Sequence, residues 1–567
     1  MKKDNRLYNV LILLTLLILS SCTNLDEELY DRVTSENFIQ TKEDVYRTFL
    51  RSFEHGYWTV QGDQYDMQEN SGDQLMTATR GADWFDGGKY IRLHNHEWNT
   101  DEGFVEGGWK NLYTGIVLAT NSLEDIQALD PESVNMSEAE RAELVSELRI
   151  LRAWYNLRLF DFYRNIQLVK AVKGQTEAVA QSTPQETFDF IEKEILESVP
   201  NLLAKGDPGS ENFDGRWTKA AAMTLLARLY INAEVYIGES KYEQCATITQ
   251  DIVDGKYGSY GIEERWDAPF DYDNNESKET IFAFPGSFTR THWHYSSGMF
   301  WWQFPAKINL YFDFSAFGNS NPKYALQPGK DLNGEEYDFA LGKPFVKFEK
   351  YPDDVRLKKY KNTGLSSREG MFLYGYLPYN DGADSIKSKD NSYKLYLRDQ
   401  VGTFKGLSPD KELSGETSTM LTADENSGVR LVKYPFYSDD SPNRIEPDFV
   451  EMRLPEVYYM LAECRFRAGD LTEAARLLNQ VRSRYYPEGS ESLYEAGDLN
   501  EQELLDAWGT EFLGEGRRRT DLIRFGKFTT GVWWDKTSDG GDKHLQIFPI
   551  AEKILNVNPQ LVQNPGY

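Results

Sequence analysis

Two stretches of this chain share one pattern, a helix followed by a tight turn and a second helix, and this pattern constrains the fold most strongly. In the first, residues 226–230 precede a helical pattern over 242–253, and in the second, residues 461–466 precede a turn at Gly469 and a helical pattern to residue 484. Such a pair buries its apolar face only by stacking on neighbouring pairs. Since sustained heptads are lacking, a coiled coil is disfavoured. The sequence predicts tetratricopeptide-like helix pairs.

Further helices are indicated upstream of these pairs. Apolar residues recur at three- and four-residue steps from Trp109 to Ile126, which places them on one face of a helix. Ser137 followed by Glu140, and Thr183 followed by Pro184 and Glu186, are typical helix starts. The expected fold class is therefore mostly α, with tetratricopeptide-like helix pairs forming a scaffold.

The middle of the chain has a different character. From about residue 262 to 453 the helical period disappears, and glycine, asparagine, aspartate and aromatic residues become frequent. A featureless loop of that length would be unusual in a compact domain. We predict a large irregular, loop-rich insertion with short helices and hairpins, packed on the scaffold. The expected organisation is an N-terminal helical region over 22–261 and a C-terminal region over 262–567, in one compact structural unit.

The N-terminus has the pattern of an export signal. Lys2, Lys3 and Arg6 precede an apolar run over 10–19, which is followed by the tetrapeptide L-S-S-C ending at Cys22. The run is shorter than the roughly 20 apolar residues of a membrane-spanning helix, so we expect residues 1–21 to be a signal peptide. The tetrapeptide resembles a bacterial lipobox, which implies lipidation of Cys22 and anchoring by acyl chains. An ordinary secretory cleavage site is the alternative.

Charge and cysteine content narrow the function classes. The formal charge is -28, which disfavours a nucleic-acid partner because phosphate binding needs clustered Lys and Arg. The basic run at 517–519 is too short for such a patch and is interpreted as intramolecular pairing. Cys245 and Cys464 lie within helical patterns, so we predict buried free thiols, with a single disulfide as the alternative.

The C-terminal third of the chain carries a series of short motifs. They are R-L-P-E-V-Y-Y-M-L-A-E over 453–463, G-D at 469–470, V-R-S-R at 481–484, E-F-L-G-E-G-R-R over 511–518, D-L-I-R-F-G over 521–526, F-P-I at 548–550, N-P at 558–559 and Q-N-P-G-Y over 563–567. With these motifs the chain resembles the SusD/RagB family of outer-membrane nutrient-binding lipoproteins. Residues after the lipobox, and later Trp109, Tyr113 and Asn121, follow in family order.

The resemblance implies a role in nutrient capture without catalysis. It implies a lipid-anchored, surface-exposed protein of the outer membrane that binds a glycan and delivers it to a SusC-like TonB-dependent transporter. Two alternatives stay open at this point: a peptide ligand, as for RagB-like relatives, and, less favoured, a surface glycoside hydrolase. A hydrolase would need two carboxylates about 5 to 9.5 Å apart across a cleft, which a sequence does not reveal.

Two loops carry the residue types that sugar binding requires, aromatic planes beside planar polar groups. The resemblance implies that both loops lie on the ligand face. The first spans residues 57–98, and its candidate ligand-binding residues are Asp73, Arg80, Trp84, Asp86 and Trp98. The second spans 290–317, where ten of 28 positions are aromatic, and its candidates are Trp293, Tyr295 and Trp301.

No cofactor is predicted for this chain. The histidine pairs His94/His96 and His292/His294 lack the further ligands that a zinc site needs, and no H-E-x-x-H motif occurs. The acidic stretch over 271–276 resembles a calcium loop but lacks the EF-hand glycine and twelfth-position glutamate, so calcium is left open. Nucleophile-elbow and phosphate-loop motifs are also missing from the sequence.

Overall fold

The fold is described from a computed structural model over residues 38–210, 214–287, 303–313, 322–364, 367–413, 416–435, 447–487 and 490–567. The α-helices in these ranges are α1 Lys42–Glu54, α2 Gly56–Thr59, α3 Asp63–Glu69, α4 Lys89–Asn95, α5 Gly103–Ala128, α6 Glu138–Tyr163, α7 Pro184–Ser198, α8 Lys219–Ile231, α9 Ala233–Ile237, α10 Tyr242–Val253, α11 Ile308–Phe312, α12 Pro344–Glu349, α13 Leu454–Arg467, α14 Leu471–Arg482, α15 Glu501–Glu511, α16 Arg518–Arg524 and α17 Glu552–Leu555.

The strands are short. They are β1 Leu75–Met76, β2 Thr280–Phe284, β3 Ala325–Leu326, β4 Lys361–Asn362, β5 Arg368–Glu369, β6 Phe372–Leu373, β7 Gly375–Tyr376, β8 Pro378–Tyr379, β9 Asp384–Ser385, β10 Tyr396–Leu397, β11 Arg430–Leu431 and β12 Phe449–Arg453. In the described ranges every sheet consists of two antiparallel strands. This composition confirms the mostly helical fold class.

The two longest helices, α5 and α6, form the first packed pair, and each is 26 residues long. They approach closely at Gly115, where an added Cβ would lie 2.3 Å from Cε1 of Tyr155, so only glycine permits this contact. The apolar stripe that begins at Trp109 is the buried face of α5, as predicted. No helix in the described ranges is both long and apolar enough to cross a membrane.

The helix starts follow the capping signals in the sequence. The Ser137 hydroxyl accepts a hydrogen bond from the backbone N–H of Glu140 (3.1 Å) at the start of α6. At the start of α7, Thr183 and Glu186 form a complete capping box, and Pro184 occupies the first helical position. Each cap satisfies backbone N–H groups that have no partner inside the helix, which stabilises it by about 1 kcal/mol.

The two predicted helix pairs are present, and they pack on each other. Helix α8 packs on α10, α13 packs on α14, and α10 packs on α13. The pairs therefore stack through α10 and α13, as tetratricopeptide-like units do. Cys245 on α10 and Cys464 on α13 are both buried and free, which confirms the prediction for the two thiols.

The loop-rich insertion starts and ends at one pair of strands. Strand β2 pairs with β12 in the register Phe449 opposite Phe284, and β12 continues directly into α13. Between them, the described residues hold only the short helices α11 and α12, short 3-10 turns and two-residue strands. The predicted irregular insertion is thus confirmed, and the β2–β12 pair attaches it to the helical scaffold.

A buried charge network centred on Arg453 joins the insertion to the C-terminal helices. Its guanidinium is 1% exposed, donates to the carboxylates of Glu511 (2.6 Å) and Glu515 (2.7 Å), and lies 3.4 Å from Glu279. Arg484 reaches Glu279 (2.5 Å) and Glu511 (3.2 Å) from α14's end. Burial opposes ionisation, but the arginines outweigh it and hold the pKa of Glu511 well below its usual range.

The arginine run at 517–519 belongs to the same kind of network. Arg517 pairs with Glu456 (2.8 Å), Arg518 with Asp73 (2.6 Å) and Arg519 with Asp161 (2.8 Å). Three consecutive arginines therefore connect helix α16 to three separate parts of the chain. The predicted intramolecular pairing of this run is confirmed.

We expect Arg453→Met to destabilise the protein by about 3–5 kcal/mol. The substitution would leave Glu511 and Glu515 buried without their main positive partner, and an uncompensated buried charge is costly. Urea unfolding followed by circular dichroism measures the change. Arg476→Met is the matched control, because Arg476 pairs with Glu473 at an exposed site, and about 0.5 kcal/mol or less is expected there. Equal effects of the two substitutions would contradict a structural role for the buried network.

Candidate ligand-binding face

Trp84 stands on a tight, glycine-rich loop. Arg80 and Asp83 exchange two backbone hydrogen bonds of 3.0 Å, which close a turn around Gly81 (φ 61°). Trp84 follows with φ 66°, a left-handed backbone conformation that L-residues other than glycine adopt at a cost of roughly 1–2 kcal/mol. Its neighbours must therefore hold the residue in place.

The indole of Trp84 is half-buried and rests on two fixed groups. The ring of Tyr90 meets it edge-to-face at a centroid distance of 6.3 Å, and Nζ of Lys323 lies 6.0 Å from its centroid. That ammonium group is buried and donates to both carboxylate oxygens of Asp66 at 2.8 Å. Burial lowers the pKa of Lys323, and the Asp66 carboxylate opposes this shift. A buried ion pair thus supports the underside of the indole.

A small apolar cluster, which we name the site core, brings distant segments together beneath this loop. It consists of Met76, Ala78, Tyr90, Ala325, Val401, Met420, Ala423 and Trp534. Trp84, Tyr337 and Phe339 are among the half-buried side chains that pack on it. The rings of Tyr337 and Phe339 stack with their centroids 4.9 Å apart and their planes 18° apart. Two aromatic groups separated by about 250 residues therefore pack on one cluster.

Exposed side chains extend this surface. Phe85 follows Trp84 and is 49% exposed, and Leu421 follows Met420 of the site core and is 58% exposed. Asp86 is exposed on the same loop, and the Asp83 carboxylate lies 3.3 Å from Nζ of Lys389. We name the set Trp84, Phe85, Asp86, Tyr337, Phe339 and Leu421 the aromatic face. It combines flat apolar surfaces with carboxylate acceptors, the chemistry that recognises C–H faces and hydroxyl groups of sugars.

Tyr337 and Phe339 are not among the residues predicted from the sequence, although a signal for them exists. Asn333 and Gly334 are a typical hairpin-turn dipeptide, and Lys330 pairs with Glu336 across that turn. Residues at alternate positions of an extended segment share one side, and the sequence Y-D-F at 337–339, which follows the turn, places two aromatic rings there. The hairpin therefore predicts a paired aromatic surface.

Two of the predicted ligand-binding residues lie on the aromatic face. Trp84 is half-buried with part of its ring accessible, and Asp86 is exposed. Their contact with a ligand stays a prediction. Trp293, Tyr295 and Trp301 lie outside the described residues, as do Cys22 and the histidines at 292 and 294.

Asp73 has a structural role instead of the predicted ligand contact. Its side chain is fully buried and forms a two-pronged ion pair with Arg518, at 2.6 and 3.0 Å. Burial alone would raise the pKa of Asp73, but the Arg518 guanidinium outweighs burial and lowers the pKa to about 2. Because both oxygens are occupied inside the protein, Asp73 cannot meet a ligand at the surface. This corrects the prediction for Asp73.

Arg80 and Trp98 also prove to be interior residues. Arg80 is 6% exposed, and its guanidinium donates to the backbone oxygens of Pro322 (2.8 Å) and Lys323 (3.3 Å). Burial lowers the pKa of Arg80 to about 10. The indole N–H of Trp98, a 5% exposed residue, donates to the Tyr567 hydroxyl (2.7 Å). Both predictions of ligand contact are corrected. Arg80 holds the Trp84 loop through its buried side chain, and Trp98 binds the C-terminal residue Tyr567.

The histidines at 94 and 96 serve as internal hydrogen-bonding groups. His94 bonds through Nε2 to the backbone oxygen of Trp534 (2.8 Å), and burial lowers its pKa to about 3. His96 lies between the Asp539 carboxylate (2.7 Å) and the Ser71 backbone oxygen (2.9 Å). In the part of the chain that the structure describes, no group of three or more His, Cys, Asp or Glu side chains is arranged to hold a metal ion.

Two family models match this chain and together cover most of it. The model described as "SusD family" matches residues 409–567, and the one described as "Starch-binding associating with outer membrane" matches residues 28–231. The chain belongs to the SusD/RagB family. The C-terminal match begins inside the loop-rich insertion, and both matches fall largely on the helical scaffold.

Characterised relatives agree with this assignment. The starch-binding protein SusD of Bacteroides thetaiotaomicron is 25% identical over 453 residues, which cover 77% of this chain and 75% of that protein. The SusD-like protein P25 of Formosa agariphila is 23% identical over 498 residues, which cover 82% of this chain and 80% of that protein. Both alignments extend over most of each chain.

Solved structures share the fold of this family member. A SusD homologue from Bacteroides thetaiotaomicron superposes with a TM-score of 0.67 at 17% identity, covering 94% of this chain and 99% of that one. A laminarin-binding SusD-like protein gives 0.65 at 18% identity, covering 93% and 100%. Surface glycan-binding protein A from Bacteroides uniformis gives 0.64 at 17% identity, covering 92% and 99%.

The Asp73–Arg518 pair gives a specific pH dependence. The folded pKa of Asp73, about 2, lies below its ordinary value of 3.8. Its stabilising contribution is therefore fully present above about pH 4 and is lost as the pH falls through about 2. We expect the stability difference between wild type and Asp73→Asn to shrink by about 2 kcal/mol over that interval.

Urea unfolding at a series of pH values from about 5 to about 2 measures this difference. Asp101→Asn serves as the control, because Asp101 is exposed and should follow the wild-type curve. A wild-type-minus-Asp73→Asn difference that stays constant across the series would show that Asp73 does not ionise as described.

Proposed function

We propose that this protein is a surface-exposed, lipid-anchored glycan-binding protein that delivers its ligand to a SusC-like TonB-dependent transporter in the outer membrane. The observation that carries the proposal is the aromatic face, whose residues Trp84, Tyr337 and Phe339 all pack on the site core. Relatives named as starch-binding, laminarin-binding and surface glycan-binding proteins support the ligand class.

The geometry of the aromatic face suits a sugar ligand. Trp84, Tyr337 and Phe339 are already half-buried on the site core, so a sugar ring covers an aromatic surface that is held in position. Full burial of a large apolar side chain contributes about 1.5–3 kcal/mol, so completing the burial of a half-buried ring contributes about 1 kcal/mol. A few such contacts, with hydroxyl groups bonded to Asp86 and its neighbours, give binding that is specific and reversible.

The proposal assigns no chemical step to the protein. On the aromatic face, the Asp83 carboxylate is engaged by Lys389, and Asp86 stands on an open turn. Glycoside hydrolysis requires two carboxylates placed on either side of the bond that breaks. The relatives named above are binding proteins, which also supports capture without catalysis.

The proposed location and partner rest on the N-terminal lipobox and on the family matches. The lipobox ending at Cys22 supports a lipid anchor. The family description "associating with outer membrane" supports the membrane, and membership of the SusD/RagB family supports the transporter as the receiving partner. A peptide ligand, as for RagB-like relatives, is the competing outcome of the binding test.

We expect Trp84→Ala and Phe339→Ala each to weaken glycan binding by about fivefold, because each removes a ring whose burial contributes about 1 kcal/mol. Retention of soluble protein lacking residues 1–22 on insoluble starch and laminarin, followed by a glycan array, measures this. Tyr272→Ala is the control, since Tyr272 is an exposed aromatic outside the site core and its loss should change nothing.

Thermal unfolding followed by circular dichroism should stay cooperative for all three variants. Unchanged retention in Trp84→Ala and Phe339→Ala would move the site away from the aromatic face. Titration with peptide mixtures that bind while every glycan fails would replace the glycan with a peptide ligand.

The wild-type protein should release no reducing ends from any polysaccharide that it retains. A reducing-sugar assay after prolonged incubation measures this, with a commercial amylase and a laminarinase as positive controls. Release that persists in purified wild type would establish a hydrolase instead of a binding protein.

A further inference from the structure

A second concave surface lies on the loop-rich insertion, between helix α11 and the strands from β4 to β8. Its volume is about 720 Å³, and its lining includes Tyr311, Lys359, Lys361, Asn362, Tyr374 and Tyr379. We name it the tyrosine groove. None of these residues belongs to the aromatic face, and of the six only Tyr311 lies within a predicted binding loop, the stretch over 290–317.

The three tyrosine rings of the groove are held in fixed positions. The Tyr311 hydroxyl donates to the backbone oxygen of Tyr360 (2.6 Å), and the Tyr379 hydroxyl donates to the Asp384 carboxylate (3.1 Å). The ring of Tyr374 has Nζ of Lys359 at 5.1 Å from its centroid. All three residues are half-buried, like the rings of the aromatic face. The groove therefore presents prearranged flat surfaces at its walls.

The charges that line the groove cancel. Lys358, Lys359 and Lys361 face Asp313, Glu369 and Asp381, in a chain whose formal charge is -28. Lys358 lies 3.7 Å from Glu369, and Nζ of Lys359 donates to the backbone oxygen of Tyr376 (2.9 Å). A polyanion gains no local attraction here and is repelled by the protein as a whole. A neutral ligand rich in hydroxyl groups finds both donors and acceptors.

One short segment contacts residues beside both the groove and the aromatic face. Lys307, which precedes α11, donates through Nζ to the backbone oxygen of Ser388 (2.9 Å). Lys389, which follows Ser388 in the chain, has its Nζ 3.3 Å from the carboxylate of Asp83, beside Trp84. Helix α11 has five residues and spans about 7.5 Å. Tyr311 is on this helix and is therefore near Lys307, which contacts Ser388. The segment over 388–391 therefore contacts one residue beside the groove and one residue beside Trp84.

We propose that the tyrosine groove is a second contact region for the ligand of the aromatic face, and that this ligand is a long, uncharged glycan chain. The inference rests on the glycan-binding function proposed above. Two regions on one chain raise the affinity for a ligand long enough to reach both, because the second contact forms within the same complex. A short oligosaccharide occupies one region only.

Isothermal titration of full-length mature protein with glycans of different length tests this. The probes are starch and laminarin polymers together with their disaccharides and heptasaccharides, and any further glycan that wild type retains on the array. We expect Tyr379→Ala to weaken binding of the polymer by about fivefold to tenfold and to leave binding of the disaccharide unchanged. Trp84→Ala should weaken both. Tyr379→Phe keeps the ring and should bind the polymer like wild type, which separates the stacking surface from the hydroxyl bond.

Each outcome decides a different point. Equal effects of Tyr379→Ala on short and long chains, or no effect on either, would overturn the second contact region while leaving the proposed function intact. A wild type that retains no glycan at all would overturn the proposed function and this inference with it. Polymer affinity should change by less than about twofold between roughly 50 and 500 mM NaCl, and a steep fall would overturn the assignment of an uncharged ligand.

Discussion

Buried pairs of arginine and carboxylate side chains connect the parts of this fold that lie far apart in sequence. Arg518 joins Asp73, Arg519 joins Asp161, and Arg453 joins Glu511 and Glu515. Each of these guanidinium groups would cost several kcal/mol to bury alone, so every one needs its partner. Only an arrangement of helices that brings all partners together satisfies the set. The pairs thereby specify how the N-terminal helices pack on the C-terminal ones.

This frame explains how an irregular insertion can present a defined surface. The β2–β12 strand pair closes the insertion, and the contacts of Arg453 with Glu511 and Glu515 attach it to the scaffold. The site core then gathers segments near residues 76, 325, 420 and 534 into one cluster. Loops seldom bury enough apolar surface to be rigid by themselves. Here the scaffold supplies that rigidity, and the half-buried rings of the aromatic face depend on it.

Much of the scaffold could be predicted from sequence because its signals are local. Apolar spacing after Trp109, the capping box at Thr183 and the repeated helix pairs each involve residues within a few turns of one another. The family resemblance likewise rests on contiguous motifs. The same locality explains why Trp84, flanked by glycines, could be identified as an accessible ring on a turn.

The wrong predictions of ligand contact for Asp73, Arg80 and Trp98 have the opposite origin, because the contacts of these residues are distant in sequence. Asp73 meets Arg518 across 445 positions, and Trp98 meets Tyr567 across 469. A polar or aromatic residue in a loop looks available until its distant partner is known, and no local pattern reveals that partner. Tyr337 and Phe339 were overlooked for a related reason: their importance comes from the site core, whose members converge only in the folded chain.

In the proposed complex, the left-handed backbone at Trp84 would affect how long a ligand stays bound. Because folding already holds the indole in this conformation, little mobility remains to be lost when a sugar arrives. Association then needs no rearrangement, and the lifetime of the complex is set by how many shallow contacts must break together. Such a surface favours brief contact with each sugar and ready transfer of the glycan to a neighbouring protein. These properties suit a protein that passes its ligand on and do not suit one that retains it.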